Sequence, residues 1–396
     1  MKKRILSAVV ALALVIGACF CVSAESAKSP LRFDENGEFK IMHLCDCQDG
    51  YPASEKMLKF IDAALKEYQP DIVVLGGDNV VADFEDKDAA IKELVDVFVA
   101  NETYFTLVFG NHDCEQGMTN DELMVLYQKY GGEYCLASDP EPELHGCGTQ
   151  MLPVLSTMGD RTEFALYMFD SGSHAYDENG NDVGYDCVHE DQIEWYKDTS
   201  KNLEAQEGKK IPGLAFQHIV VGEAYDALFY ETSNDVDLGV LTPKYNGKTY
   251  TFFPRTNNFT GFLLEFPCPG YYNYGQFDAM VERGDILGIF SGHDHINNYE
   301  TELDGIKIIN TAGATFNSYG KEMTRGMRMI TVRDSNTWEF ETESVTINGF
   351  ALENDDFASD AGIISVFAMI TEGLAKVMLA LGEFSGLFAG VIDLIK

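Results

Sequence analysis

Five short segments carry side chains of the kind that hold divalent metal ions, and each one follows an apolar run. Asp46 comes after Ile41-Met42-His43-Leu44-Cys45, and Asp78 after Val73-Val74-Leu75-Gly76-Gly77. Asn111, His112 and Asp113 come after Leu107-Val108-Phe109-Gly110. His218 closes Leu214-Ala215-Phe216-Gln217, while His293 and His295 close Gly288-Ile289-Phe290-Ser291-Gly292. Carboxylate and amide oxygens mixed with imidazole nitrogens suit Mn, Fe or Zn. One carboxylate can bridge two ions roughly 3.5–4 Å apart, a spacing that stabilises both the attacking and the leaving oxygen of a phosphoryl transfer. Asp78 is the natural bridge.

Such side chains need a frame that brings distant segments to one rim. Short runs rich in Val, Ile, Leu and Phe alternate with amphipathic stretches, which predicts an α/β architecture. Strands are expected near residues 39–45, 71–75, 104–109, 164–169, 214–217, 286–290, 306–310 and 327–332, and helices over 54–68, 87–100, 120–130 and 190–203. In open α/β sheets ligands lie beyond the carboxyl ends of strands, so all five segments would converge there.

With these motifs in order, the sequence resembles the calcineurin-like metallophosphoesterases. That family carries, in turn, an Asp-x-His, a Gly-Asp, a Gly-Asn-His-Asp, a lone His and a Gly-His-x-His. Here they read Asp46-Cys47-Gln48, Gly77-Asp78, Gly110-Asn111-His112-Asp113, His218 and Gly292-His293-Asp294-His295, over about Phe39 to Gly320. The resemblance implies a four-layer sandwich of two mixed β-sheets flanked by helices. It also implies one ion on Asp46, Asp78 and His295 with Gln48 nearby, and a second on Asp78, Asn111, His218 and His293. His112 would be the acid for the leaving oxygen and Asp113 the residue that orients its ring. The implied reaction is direct hydrolysis of a phosphate ester by a metal-bridging hydroxide.

Two departures qualify the resemblance. Gln48 stands where the family usually has His; an amide oxygen is a weaker donor, so the first ion should bind less tightly or be harder, which admits Mg. Whether Gln48 ligates stays open. Purple acid phosphatases share the motif order but place a Tyr ligand three residues after the bridging Asp, where this chain has Val81. Two other readings compete with the enzyme. One is a non-catalytic cell-surface binding module on the same fold; the other is a phosphodiesterase acting on nucleotides or lipid headgroups. His43, His145, His174 and His189 read as structural, and Cys45 and Cys47 as buried packing beside Asp46.

The chain of 396 residues has a formal net charge of −36, which argues against a nucleic-acid partner and would repel an anionic substrate unless cations sit in the pocket. Met1-Lys2-Lys3-Arg4, an apolar run from Ile5 to Val22 and Ser23-Ala24 predict a signal peptide over 1–24 and hence a secreted or cell-surface protein. Cleavage before Cys19, giving a lipid anchor, is the alternative. Of nine cysteines, seven remain after residue 24, an odd number that does not describe a disulfide framework. Residues 25–350 are expected to form the catalytic domain. Within it, 231–275 lack any period and are rich in aromatics, which suggests a lid. The apolar tail over 351–396, interrupted by Glu372, Lys376 and Glu383, suggests amphipathic helices that pack on the body or touch a membrane surface.

Overall fold

The structure, a computed structural model, describes residues 30–83, 85–233, 243–255 and 257–353. The expected signal peptide, the anchor at Cys19 and nearly all of the apolar tail lie outside the described residues.

Along the chain the strands are β1 (Glu38–Leu44), β2 (Ile72–Gly76), β3 (Tyr104–Val108), β4 (Gln150–Leu155), β5 (Thr162–Met168), β6 (His174–Tyr176), β7 (Asp182–Tyr185) and β8 (Gly213–Phe216). They continue as β9 (Lys244–Tyr245), β10 (Lys248–Thr249), β11 (Phe259–Thr260), β12 (Ile286–Ser291), β13 (Glu300–Leu303), β14 (Ile306–Asn310), β15 (Gly326–Arg333) and β16 (Asn336–Thr346). The helices are α1 (Glu55–Tyr68), α2 (Lys87–Ala100), α3 (Asn120–Gly131), α4 (Glu190–Glu207), α5 (Ala224–Leu228), α6 (Gln276–Arg283) and α7 (Ile347–Glu353).

Two sheets hold most of the strands: one in the order β16-β15-β1-β2-β3, the other β11-β13-β14-β12-β8-β5-β4. Alternation along the strands makes them stack. In β1, Phe39 and Ile41 join Val74, Val108, Phe164, Leu166, Phe216, Phe290 and Ile330 in one apolar layer between the sheets. Met42 and Leu44 point the other way, into a second core with Phe60 of α1, Leu94 of α2 and Leu123 of α3. Ala165 and Tyr167 of β5 likewise face Tyr196 of α4 and Met280 of α6. Each of these side chains contributes about 1.5–3 kcal/mol by leaving water. The result is the expected helix–sheet–sheet–helix sandwich.

Helix starts follow local chemistry. The Ser54 hydroxyl accepts from the Met57 amide ahead of α1, and Thr119 and Glu122 close a reciprocal capping box at α3. Between β8 and β12 the aromatic stretch at 231–275 forms the β9–β10 pair, a bridge between Glu231 and Tyr250 and the β11–β13 pairing among its described residues. No described helix is long and apolar enough to cross a membrane.

What matters for the site is direction. β1, β2 and β3 run parallel in one sheet, and β5, β8, β12 and β14 run parallel in the other.

Candidate metal centre

Backbone hydrogen bonds join the loop leaving β1 to that leaving β2, and the loop leaving β8 to that leaving β12, while the His112 amide ties the β3 loop to the Asp78 carboxylate. The Asp46 amide donates to Gly77 O (3.0 Å), that of Gln48 to Asp78 O (2.9 Å) and that of Gly292 to His218 O (3.1 Å). Asp46, Gln48, Asp78 and His293 all take left-handed backbone conformations, with φ of 48°, 36°, 49° and 70°. Such conformations cost of order 1–3 kcal/mol each in a non-glycine residue and concentrate at functional sites.

The lacing brings the sequence-selected side chains to one point. Ligand atoms of Asp78, His218 and His293 lie within 4.8 Å of one another, and so do those of Asp46, Asp78 and His295; Asp78 belongs to both groups. His218 Nε2 is 3.2 Å from Asp78 Oδ2 and 4.0 Å from Asp46 Oδ1, and His295 Nε2 is 3.4 Å from Asp46 Oδ1. All of these residues are buried.

Partners behind the imidazoles fix which nitrogen faces the centre. His218 Nδ1 donates to Gly76 O (2.9 Å) and His295 Nδ1 to Tyr319 O (3.0 Å), so each ring turns its Nε2 to the centre. The Tyr319 ring stacks on His295 with centroids 4.1 Å apart, and Tyr185 stands edge-on to His293 at 4.2 Å.

Divalent cations fit this arrangement. Asn111 Oδ1 is buried without a hydrogen-bond partner, the state expected of an atom built to ligate, and His218 Nε2 is buried facing the Asp78 carboxylate. Burial holds His293 down to about 3 and His295 to about 4, keeping both imidazoles neutral as ligation requires. Burial also lowers His218, but the Asp78 and Asp46 carboxylates outweigh it and raise that residue to about 10. Asp78 is pushed up by burial yet ends below the usual carboxylate range, because His218 and the His112 amide favour its charge. Positive charge at this spot therefore satisfies buried carboxylates.

Two placements depart from the motif-based reading. Gln48 turns its amide nitrogen to Asp78 Oδ2 at 2.7 Å, so it grips the shared carboxylate instead of presenting an oxygen inward. Asp113 does not touch the His112 ring. Its carboxylate accepts from the amides of Gly110 (2.8 Å), Asn79 (2.9 Å) and Val80 (3.3 Å), which uses up its lone pairs in holding two loops together. Glu115 takes the orienting place, with Oε1 3.0 Å from His112 Nδ1. The His112 amide donates to Asp78 Oδ1 at 2.7 Å and its half-exposed ring stands at the mouth of the centre.

Some contributors carried no readable signal. The Lys87 side chain is fully buried and donates to the carbonyls of Asp113 and Glu115 (2.8 Å to the latter), pinning the loop that bears His112. Tyr185 and Tyr319 belong to unremarkable stretches. Glu115, three residues beyond His112, could have been found from spacing. His145 and His189, set aside as structural, stack at 3.5 Å and share Asp186, with Nε2 atoms 3.1 and 2.9 Å from its oxygens. His43 is buried against Phe216 and Phe290, and His174 pairs with Asp182 at 3.0 Å. All seven described cysteines are free.

Comparison with known proteins agrees with the geometry. The sequence profile of the calcineurin-like phosphoesterases matches residues 39–297. Among curated relatives, "Probable inactive purple acid phosphatase 14" of Arabidopsis thaliana is 27% identical over 356 residues, covering 81% of this chain and 82% of that protein. "Phosphatase DCR2" of Saccharomyces cerevisiae is 27% identical over 294 residues, covering 68% of this chain and 46% of its own length. Among solved structures, a dimetal phosphatase from Danio rerio aligns over 77% of this chain and 98% of its own, at 12% identity and a TM-score of 0.45. The chain belongs to the calcineurin-like phosphoesterase family, on the side of its purple-acid-phosphatase-like members.

Proposed function

We propose that this chain is an exported phosphoesterase that uses two divalent metal ions to hydrolyse phosphate esters. The observation that carries the reading is Asp78 shared between two ligand groups, with the buried Asn111 Oδ1 left unpartnered beside them. In this proposal Asp46, Asp78 and His295 hold one ion, and Asp78, Asn111, His218 and His293 the other; Mn, Fe or Zn suits the set, with Mg admitted beside Gln48. When bound, such ions acidify water and neutralise charge on the transferring phosphoryl group.

The chain's own residues supply the rest. His112, held at Nδ1 by Glu115, turns Nε2 outward, where it can give a proton to the departing oxygen. Asp113 and Lys87 keep its loop in place. Export rests on the signal-like first 24 residues, and residues 25–350 act as one catalytic domain in which 231–275 form a wall or lid.

A binding module without turnover is the second reading. Gln48 bound to Asp78, and relatives whose names say inactive, favour it. Against it stands His112 with its partner Glu115, which a structural metal site does not require. Hydrolysis of an aryl phosphate with added Mn decides between the two: turnover that chelation abolishes supports the enzyme. No metal-dependent turnover of monoesters or diesters would leave the binding module.

A further inference from the structure

Next to the metal centre lies a cavity of about 700 Å³ whose walls carry Tyr185, Tyr225, Tyr245, Tyr271 and Tyr272. Its size is that of a small-molecule site. Two contacts join it to the centre. Tyr185 stands edge-on to His293, with centroids 4.2 Å apart. The Cys268 amide, also in the wall, donates at 3.2 Å to Oδ1 of Asp294, between His293 and His295.

Charge sets the cavity apart. The chain has 64 acidic against 28 basic residues, yet no described lining residue is acidic. The rings are also held in place. Tyr225 lies parallel to Tyr245, with centroids 5.6 Å apart, and its hydroxyl donates to Pro267 O at 3.0 Å. The Tyr271 amide donates to Tyr185 O at 2.7 Å, while its ring is 57% exposed and stands perpendicular to Tyr272. Much of the wall comes from the aromatic stretch at 231–275, which had shown no sequence period.

We infer that this cavity receives a flat aromatic leaving group, so that nucleoside phosphates are the substrate class: phosphate on the metal centre, base among the tyrosines. Aromatic rings accept any nucleobase face, and no acidic side chain among the described lining residues opposes the anion. Water's oxygen bonds to phosphorus, the P–O ester bond breaks, and the nucleoside oxygen leaves with a proton, giving nucleoside and phosphate. This inference rests on the hydrolytic reading above.

Adenosine 5′-monophosphate and ribose 5-phosphate share a leaving oxygen and differ by the base, so the ratio of their kcat/KM values reads the cavity alone. A ratio of about ten or more is expected, the order that one aromatic stack supplies, shrinking toward one in Tyr271→Ala and Tyr245→Leu. Equal values for the two esters in the parent protein overturn the inference, as does a ratio that neither variant changes. If neither ester is hydrolysed, the hydrolytic reading fails, and saturation-transfer NMR with adenosine alone then decides the cavity. Base-proton saturation that Tyr271→Ala abolishes supports it; no saturation in the parent at millimolar adenosine overturns it.

Discussion

The Gln48 side chain donates to Asp78 Oδ2 across 2.7 Å, so a residue that departs from the family's motifs holds the carboxylate both ligand groups share. Hydrogen bonds to a ligating carboxylate fix its direction, and their loss typically costs 10- to 100-fold in metal affinity. Gln48→Ala should therefore weaken Mn binding about tenfold by calorimetric titration. Gln48→His, which adds an imidazole donor, should strengthen it. Unchanged affinity in the alanine variant would remove Gln48 from the account of the centre.

His112 is expected to matter in proportion to how poor the leaving group is. His112→Ala should lower kcat about 100-fold or more on an alkyl phosphate. The loss should be far smaller on 4-nitrophenyl phosphate, whose leaving oxygen needs no proton. Metal content should not change. Glu115→Gln, which frees the ring from its 3.0 Å partner, should give an intermediate loss. Equal losses on both esters would argue against an acid role.

Gly77 sits where only a missing side chain fits. Its φ is +91°, and a Cβ there would come within 2.6 Å of His218 Nδ1. Gly77→Ala should displace His218 from the centre and destabilise the fold by about 1–3 kcal/mol. Denaturant melting would read the second effect and metal analysis the first; retention of full metal content would contradict the geometry.

The buried His43 predicts a pH effect on stability. Burial, assisted by Arg328, holds its folded value down to about 3 against an ordinary 6.5. The unfolded chain takes up a proton below 6.5 and the folded chain does not, so the stability His43 contributes is complete above pH 6.5. It falls as the pH drops toward 3, by at most about 1.4 kcal/mol per pH unit. Asp71, pushed up to about 6 by burial, acts in the opposite sense from its ordinary 3.8 upward, favouring the fold at lower pH. The difference in melting temperature between the parent and His43→Gln across pH 7.5 to 5 therefore isolates the histidine. A difference that does not vary with pH would disprove its burial as a neutral base.

Removal of metal should destabilise the fold. Asp46 and Asp78 are almost completely buried, and with a cation gone their charge must be met by protons on neighbouring groups. Chelation should lower the melting temperature, and added Mn should restore it in a concentration-dependent way.

Much of this was legible in the sequence. The eight strands read from apolar runs are present within about two residues, because strands buried on both faces show continuous Val, Ile, Leu and Phe. β16 escaped notice because it lies at a sheet edge with Glu339, Glu341 and Glu343 facing water. β4, at the edge of the other sheet, contains Pro153. The side chains gathered at the candidate centre could be read because ligand chemistry is written in residue type and strand-end position. Roles set by long-range packing could not. Nothing near Lys87 in the sequence announces that it binds two carbonyls beyond residue 112, and Asp113 reads as an orienter only until its backbone partners are seen.

The position of β1 has a consequence for biogenesis. Its Phe39 pairs with Val332 of β15, about 290 positions later, on the side opposite β2. A ribosome therefore releases nearly the whole polypeptide before this strand finds its second neighbour, and closing so long a loop is slow. Until then β1 offers an open edge that other nascent chains can pair with. A message cut short before codon 326 would yield a product bearing every proposed metal ligand, with one of its two large sheets lacking two of five strands.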